Sequence, residues 1–454
     1  MQNEVLSVEA TAVHADSGTY RVHEFEVPRE TAALALTFEV EPRRVGRYDQ
    51  AVGVALYGPS GFRGVPGHGA PPHRIAGDSA SPGFLPGPIE PGRWIAEVTL
   101  GYVLEGPPCT YRLWVAAEPG ATPAQPRPAP SLPLAVAGTG PGWYGGDLHM
   151  HTYHSDGAWS VDELWQAVQR RGLDFFVLTD HNVISGLAEL AAIDTGRVLP
   201  IPGMEVTMLR GHLVAAGVET PIDWRLNHGD RTIASIVRDV HAAGGVAIVA
   251  HPGAEGSPVC HGCRWDLADV DPAQIDAVEA WNGPWWMGEP EDNEYSLAFW
   301  EGWLGRGYRV PLCGDSDAHG GAPTFAAGVP TTYVYAHELS RAALLDGIRA
   351  GRIVVSSGPT LRLNGRAGAA SGGPGATLPA GEPLLLEATA SGLAAPARLR
   401  LVGNGAVLAE EVLEGDGHCR YECAVPDAGW YRADLRSLGD GAMLAVASPL
   451  YVAG

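Results

Sequence analysis

The apolar and polar residues of this chain change rhythm twice. Up to about residue 118, the segments "YRVHEFEV", "ALALTFEV", "QAVGVALYG", "GRWIAEVTL" and "CTYRLWVAA" alternate apolar with polar residues and are separated by Gly, Pro and Asp. A period of two turns one face of each strand to a core and the other to water, which predicts a β-sandwich over residues 1–118. "EPGATPAQPRPAPSLPLAVAGTGPG" follows, and its proline and alanine content predicts an extended linker over 119–142.

Between residues 143 and 359 short apolar strands alternate with helical stretches, the order of a parallel α/β arrangement. "SVDELWQAVQRRG" shows the rule at work: Ser160 caps a helix, Glu163 answers from its third position, Leu164 and Val168 supply the apolar stripe, and Gly172 ends it. The strand "LDFFVLTDHN" comes next. "TIASIVRDVHAAGG" then "VAIVAHPG", "YSLAFWEGWLGRG" then "RVPLCGDSDAH", and "SRAALLDGIRAG" then "RIVVSSG" repeat the unit often enough to close a barrel. From residue 360 the alternation returns in "PLLLEATAS", "ARLRLVG", "CRYECAV", "GWYRADLRS" and "SPLYVAG", predicting a smaller β-sandwich over 360–454, with "NGRAGAASGGPGATLPAGE" read as a loop before it.

Composition narrows the function. With 454 residues, 45% of them apolar, the chain can bury a substantial core. Its formal charge is -22 and it has no lysine, so a nucleic-acid or anionic-membrane partner is not expected. The opening "MQNEVLSVEATAV" lacks a basic start and an apolar run, and no segment approaches eighteen uninterrupted apolar residues, which points to a cytoplasmic location. Six cysteines are too few for a disulfide scaffold of this size. "CHGC" (Cys260 to Cys263) is half of a zinc knuckle and is read as a loop, and Cys419 and Cys423 are read as buried thiols on one strand.

The chemistry lies where polar residues end apolar strands. "GGDLHMHTYHSDG" places His149 and His151 two apart, on one face of a strand, with Asp156 in the loop beyond. "VLTDHN" adds His181, "PGMEVT" Glu205, "RGHLVA" His212, "IVAHPG" His251, and "GDSDAH" Asp317 and His319. In parallel barrels reactive groups gather at the carboxyl ends of the strands, so these nine residues are expected at one mouth. Nitrogen and carboxylate ligands in that number exceed what one tetrahedral ion uses, and they favour two or three divalent ions such as Zn, Mn or Fe. Ions about 4 Å apart share a water, lower its pKa towards roughly 7 and hold hydroxide for attack, which is hydrolytic chemistry.

"DLHMHTYHSDG", "LTDHN", "GMEVT", "GHLVA", "AHPG" and "GDSDAH" together resemble the successive motifs of the polymerase and histidinol phosphatase (PHP) family of metal-dependent hydrolases. With "AVEAWNG" and "SSGP" included, the layout is most similar to the carbaryl (carbamate) hydrolase branch. The resemblance implies a distorted (β/α)7 barrel flanked by the two β-sandwiches. It implies one ion on His149, His151, Glu205 and Asp317, a second on Glu205, His212 and His251, and a third on Asp156, His181 and His319. Some members have histidine at the position of Asp156.

Glu205 and Asp317 are therefore the candidate catalytic residues. Arg210, two before His212, and Asn282, ending "AVEAWN", are candidate substrate contacts. His154 is expected to be exposed in its loop, and Asp180 and Asp315 to orient imidazoles from behind. Trp285 and Trp286 wall either a substrate pocket or a domain contact. A phosphoesterase acting on a small molecule is the first expectation. Carbamate, ester or amide hydrolysis is the alternative within the class, and a metal-stabilised binding or scaffold protein is the alternative outside it. Oligomeric state is not readable from the chain.

Overall fold

A computed structural model describes residues 3–121, 131–286, 292–321 and 326–453. The middle of the expected linker, 122–130, and residues 287–290 of "WNGPWWMGEP" lie outside the described residues. The architecture is mixed α/β.

In the N-terminal region two four-stranded antiparallel sheets enclose one apolar cluster that includes Leu34, Leu56, Trp94 and Tyr111. One sheet runs Asn3–Ala12, Cys109–Pro119, Thr31–Glu41, His73–Ala76, and the other Thr19–Val27, Gly92–Tyr102, Ala51–Gly58, Gly61–Gly64. The strand Asn3–Ala12 was not among the expected ones. It sits at a sheet edge, and none of its residues before Ala12 is fully buried, so its alternation is weak.

The middle region supplies the first nine strands of a larger sheet, in the order Leu312–Asp315, Ala277–Asn282, Val246–Ala250, Gly211–Ala216, Leu199–Met208, Phe175–Leu178, Gly142–Asp147, Thr331–Ala336, Ile353–Ser356. Parallel pairing was the expectation, and it holds for four of the contacts. The exception is the Leu199–Met208 and Gly211–Ala216 hairpin, which is antiparallel to itself and to Val246–Ala250. A tight turn at Leu209 and Arg210 replaces a helical crossover there, and short connections permit only antiparallel strands. Thr331–Ala336 is also antiparallel to both its neighbours. The first strand of this run meets the last but one, because the Thr332 hydroxyl donates to the Gly314 carbonyl (2.7 Å) and accepts from the Gly314 amide (3.0 Å).

The helix Val161–Arg171 is capped as its sequence dictates. Ser160 accepts from the Glu163 amide, Glu163 reaches back to the Ser160 amide, and Gly172 closes the helix with φ 72° in the left-handed region. A Cβ at Gly172 would touch nothing within 4 Å, so only the backbone conformation demands glycine. Gly172→Ala is accordingly expected to lower stability by about 1 kcal/mol without changing activity, as read from thermal or denaturant unfolding.

The C-terminal region corrects one expectation. "NGRAGAASGGPGATLPAGE" is not a loop: it contains the end of the strand Thr360–Ala367 together with Ala370–Gly372 and Thr377–Pro379. Its many small residues hid the alternation, since Gly365 and Ala367 are the inward-facing positions. Cys419 is buried as expected, whereas Cys423 is half-buried at the end of its strand.

The three regions are joined by buried polar contacts. Glu97, 1% exposed on an N-terminal strand, meets Arg225 (3.2 Å) and His228 (3.1 Å) of the middle region. Arg432, 3% exposed, ties the C-terminal region to Glu301 at 2.5 Å. The backbone of the middle sheet also continues into the C-terminal strand Met443–Ala447, with Val354 opposite Ala447.

Candidate metal centre

Most residues of the centre stand at or just beyond a strand end. His149 and His151 follow the strand Gly142–Asp147 in extended chain, bridged to the opposite loop by Met150 and Ala318. His181 lies just past Phe175–Leu178 and bridges to Glu205, which stands inside Leu199–Met208. His212 faces Thr207 across the hairpin turn. His251 and Asp317 directly follow Val246–Ala250 and Leu312–Asp315 and adopt positive φ of 27° and 50°. Such backbone is unfavourable for residues with a Cβ and turns the side chain away from the line of the strand.

The structure brings the nine residues together. His149 Nε2 lies 3.3 Å from Glu205 Oε2 and 3.4 Å from Asp317 Oδ1. His151 Nε2 lies 3.5 Å and 3.0 Å from the same two oxygens. Glu205 turns its other oxygen to His212 Nδ1 (2.9 Å) and His251 Nε2 (3.1 Å). Asp156 Oδ1 lies 3.4 Å from His181 Nε2 and 3.3 Å from His319 Nε2, with His151 Nδ1 at 4.0 Å.

His149 Nε2, His151 Nε2, Glu205 Oε2 and Asp317 Oδ1 are all buried without a well-aligned hydrogen bond, although His181 Nδ1 lies 2.7 Å from Glu205 Oε2. Buried polar atoms are normally satisfied, so four such atoms facing one another mark a place built for something else. Four ligands each about 2.0 to 2.2 Å from a tetrahedral zinc stand about 3.3 to 3.6 Å apart, close to the separations here. The donor set therefore fits a divalent cation.

The electrostatics agree. Burial opposes the charge of His149, but Asp317, Glu205 and Glu279 around it raise its pKa well above the ordinary value. Burial likewise opposes charge on His319, which Asp317 and Asp156 push up to about 9. Burial opposes the charges of Glu205 and Asp317 too, yet the surrounding histidines hold both well below the usual carboxylate range. His151, buried and flanked by His319 and His181, is pushed down to about 3. A group of ionised carboxylates that attracts protons onto its neighbours attracts metal cations for the same reason.

Asn282 reaches the centre: its side-chain amide donates to Asp317 Oδ2 (3.3 Å) and to Glu279 Oε1 (3.0 Å). Arg210 does not. It sits in the hairpin turn rather than on the face of His212, its side chain is 52% exposed, and it pairs with Asp266.

His154 is a further correction, being only 5% exposed. Its ring joins Ser185 Oγ (2.8 Å) and Glu189 (3.1 Å) beneath the N-terminal region, whose Gly83 amide donates to the same Ser185 hydroxyl. Asp180 and Asp315 do not orient the expected imidazoles. Asp180 accepts from Thr152 and Ser155 and shapes the first loop, and Asp315 accepts from the Leu148 amide. Cys260 and Cys263 are joined in a disulfide. Trp285 is buried under the Arg436 guanidinium of the C-terminal region, while Trp286 is exposed.

The residue missed in the sequence is Glu279. It is 1% exposed within the strand Ala277–Asn282, accepts from His149 Nδ1 (3.2 Å) and from the His251 amide (2.9 Å), and so fixes which nitrogen His149 turns to the centre. A lone carboxylate inside the apolar run "AVEAWN" was the available signal.

A cavity of about 510 Å³ opens beside His181, Asn182 and Thr207, walled opposite by Arg43 and His68 of the N-terminal region. Gly67 lets that wall approach: a Cβ there would lie 2.6 Å from the His154 carbonyl, and the neighbouring His68 amide donates to Tyr153 (2.9 Å). A larger cavity, about 870 Å³, lies between Trp143, Tyr335 and the Thr360–Ala367 strand and touches none of the nine residues.

The family model of the PHP domain matches residues 147–244. A 3',5'-nucleoside bisphosphate phosphatase from Chromobacterium violaceum is 37% identical over 78 residues, which are 16% of this chain and 27% of that enzyme. The chain thus matches about a quarter of the length of that curated relative. Among solved structures, a two-domain protein from Bacteroides vulgatus containing a predicted PHP-like metal-dependent phosphoesterase is 17% identical with a TM-score of 0.40, covering 72% of this chain and 100% of the other. An amidohydrolase from Chromobacterium violaceum with bound sulfate and no metal is 16% identical with a TM-score of 0.31, covering 46% of this chain and 96% of the other. Among the described residues, no helix is long and apolar enough to cross a membrane.

Proposed function

From a chain that carries a PHP domain over residues 147–244, we propose a metal-dependent phosphoesterase that acts on a small molecule at a di- or trinuclear centre. The observation that carries this reading is the set of four buried ligand atoms on His149, His151, Glu205 and Asp317, whose two nitrogens stand 3.0 to 3.5 Å from the two carboxylate oxygens. Those residues would hold the first ion, Glu205 with His212 and His251 would hold a second, and Asp156, His181 and His319 would hold a third. We read the seven strands from Gly142–Asp147 to Leu312–Asp315 as a distorted (β/α)7 barrel, with Thr331–Ala336 joining its two edges through the Thr332 and Gly314 hydrogen bonds, flanked by two β-sandwiches, with the centre at its open end.

Bound divalent ions supply Lewis acidity there, acidifying water towards a pKa of about 7 and neutralising phosphoryl charge. The protein does the positioning. Glu279 keeps the Nδ1 proton of His149 directed away from the centre, and Asn282 ties Glu279 to Asp317. Charged, Glu205 in full burial and Asp317 in partial burial present oxygens rather than protons to the reacting groups. The N-terminal wall with Arg43 and His68 narrows access, consistent with a small anionic substrate. The curated relative's activity on nucleoside bisphosphates makes phosphomonoesters the first class to try.

Protein purified without chelator is expected to contain two or three equivalents of Zn, Mn or Fe by elemental analysis and to cleave phosphomonoesters in a screen that also holds phosphodiesters, aryl carbamates, esters and amides. Turnover of carbamates or esters alone would replace the substrate class. Metal-loaded protein that turns over nothing would favour a metal-stabilised binding or scaffold protein.

A further inference from the structure

The "CHGC" turn is unused by the reading above, yet it abuts the centre. Cys263 is 2% exposed, and its sulfur and one ligand atom each of His212 and His251 lie within 4.8 Å of one another. Both histidines turn one nitrogen to Glu205 Oε1. Of their other nitrogens, His212 Nε2 donates to the carbonyl of His261, the residue between Cys260 and Gly262 (3.0 Å), while His251 Nδ1 is buried without a hydrogen-bond partner. The turn is held in place by a glycine. Gly262 has φ 74°, and a Cβ on it would come within 2.2 Å of the Met208 carbonyl at the end of the strand bearing Glu205.

A bridge across three residues closes so short a loop that it removes little chain entropy, which makes a purely stabilising role weak. His261 and Gly262 also line the open cavity beside His181, so a small thiol reaches the turn.

We propose that Cys263 is a redox-gated sulfur ligand for the ion held by His212, His251 and Glu205. The inference rests on the metal-binding reading of the centre. In the disulfide the sulfur carries no charge and is a poor ligand. Two equivalents of a small thiol, or one dithiol, supply two electrons and two protons: the Cys260–Cys263 S–S bond breaks, two protein thiols form, and the reductant becomes a disulfide. Cys263 then gives its proton to solvent and coordinates as thiolate. Sulfur donation favours zinc over manganese, so the redox state selects the metal.

The test loads the full-length protein with cobalt(II) without oxygen. Reduced protein is expected to show a near-ultraviolet thiolate-to-cobalt charge-transfer band, absent from oxidised protein and from Cys263→Ser. Cys260→Ser leaves Cys263 free and should show the band in either redox state, which keeps the test valid if Cys263→Ser misfolds. In competition, reduction should raise zinc over manganese occupancy at least tenfold. Visible cobalt bands from the histidines without any charge-transfer band in reduced protein would overturn this inference and leave the metal centre standing. Absence of cobalt bands in every sample would overturn the metal centre itself.

Discussion

Glu205→Gln is expected to leave a folded protein whose phosphoester turnover falls by about a thousandfold and whose metal content drops. Glu205 is fully buried, and its two oxygens serve opposite sides of the centre: one faces His149 and His151, the other His212 and His251. Glutamine keeps the shape but loses the charge, and its NH2 group confronts imidazole nitrogens that need to face a cation. On the proposed assignment, neither the first nor the second ion would have its full ligand set. Steady-state kinetics on the best phosphomonoester, elemental analysis and circular dichroism melting separate loss of function from loss of fold. Unchanged turnover would place the reaction elsewhere in the molecule.

A second large effect is expected at Glu279, which touches the centre only through other residues. Glu279→Gln should weaken metal affinity by about 10- to 100-fold, the usual consequence of removing the carboxylate behind a ligating histidine. His149 Nδ1 and the His251 amide both donate to Glu279, so the amide of glutamine disturbs two ligands at once. Chelator competition measures the affinity. Excess metal should restore most of kcat, a rescue that damage to packing alone would not show.

The centre was more readable from the sequence than the fold around it. A metal ligand is a rare residue type at a strand end, and the order of His149, His151, His181, Glu205, His212, His251, Asp317 and His319 along the chain survives any uncertainty in strand pairing. Glu279 escaped because it orients a ligand from within an apolar strand, where one polar residue resembles a pattern fault. Arg210 was misplaced by a single geometric assumption: two residues share a face only if both belong to the strand, and Arg210 is in the turn. His154 was taken as exposed because the cover over its loop comes from residues far away, among them Gly67 and Gly83. The Thr360–Ala367 strand was hidden by glycine and alanine standing where larger apolar residues mark a core face. Local pattern reports local chemistry, and His154 was misread because it depends on what a distant segment lays on top.

The pairing of Ile353–Ser356 with Met443–Ala447 bears on how the polypeptide can be divided. Val402, Trp430, Met443 and Val446 belong to the same apolar cluster as the strands beneath the metal centre. Trimming the chain at residue 359 to isolate the N-terminal and middle regions would strip a ladder partner from one strand and bare greasy side chains along its flank. An open edge of that kind recruits another copy of itself, so the shortened protein should self-associate on size-exclusion chromatography rather than run as a tidy monomer.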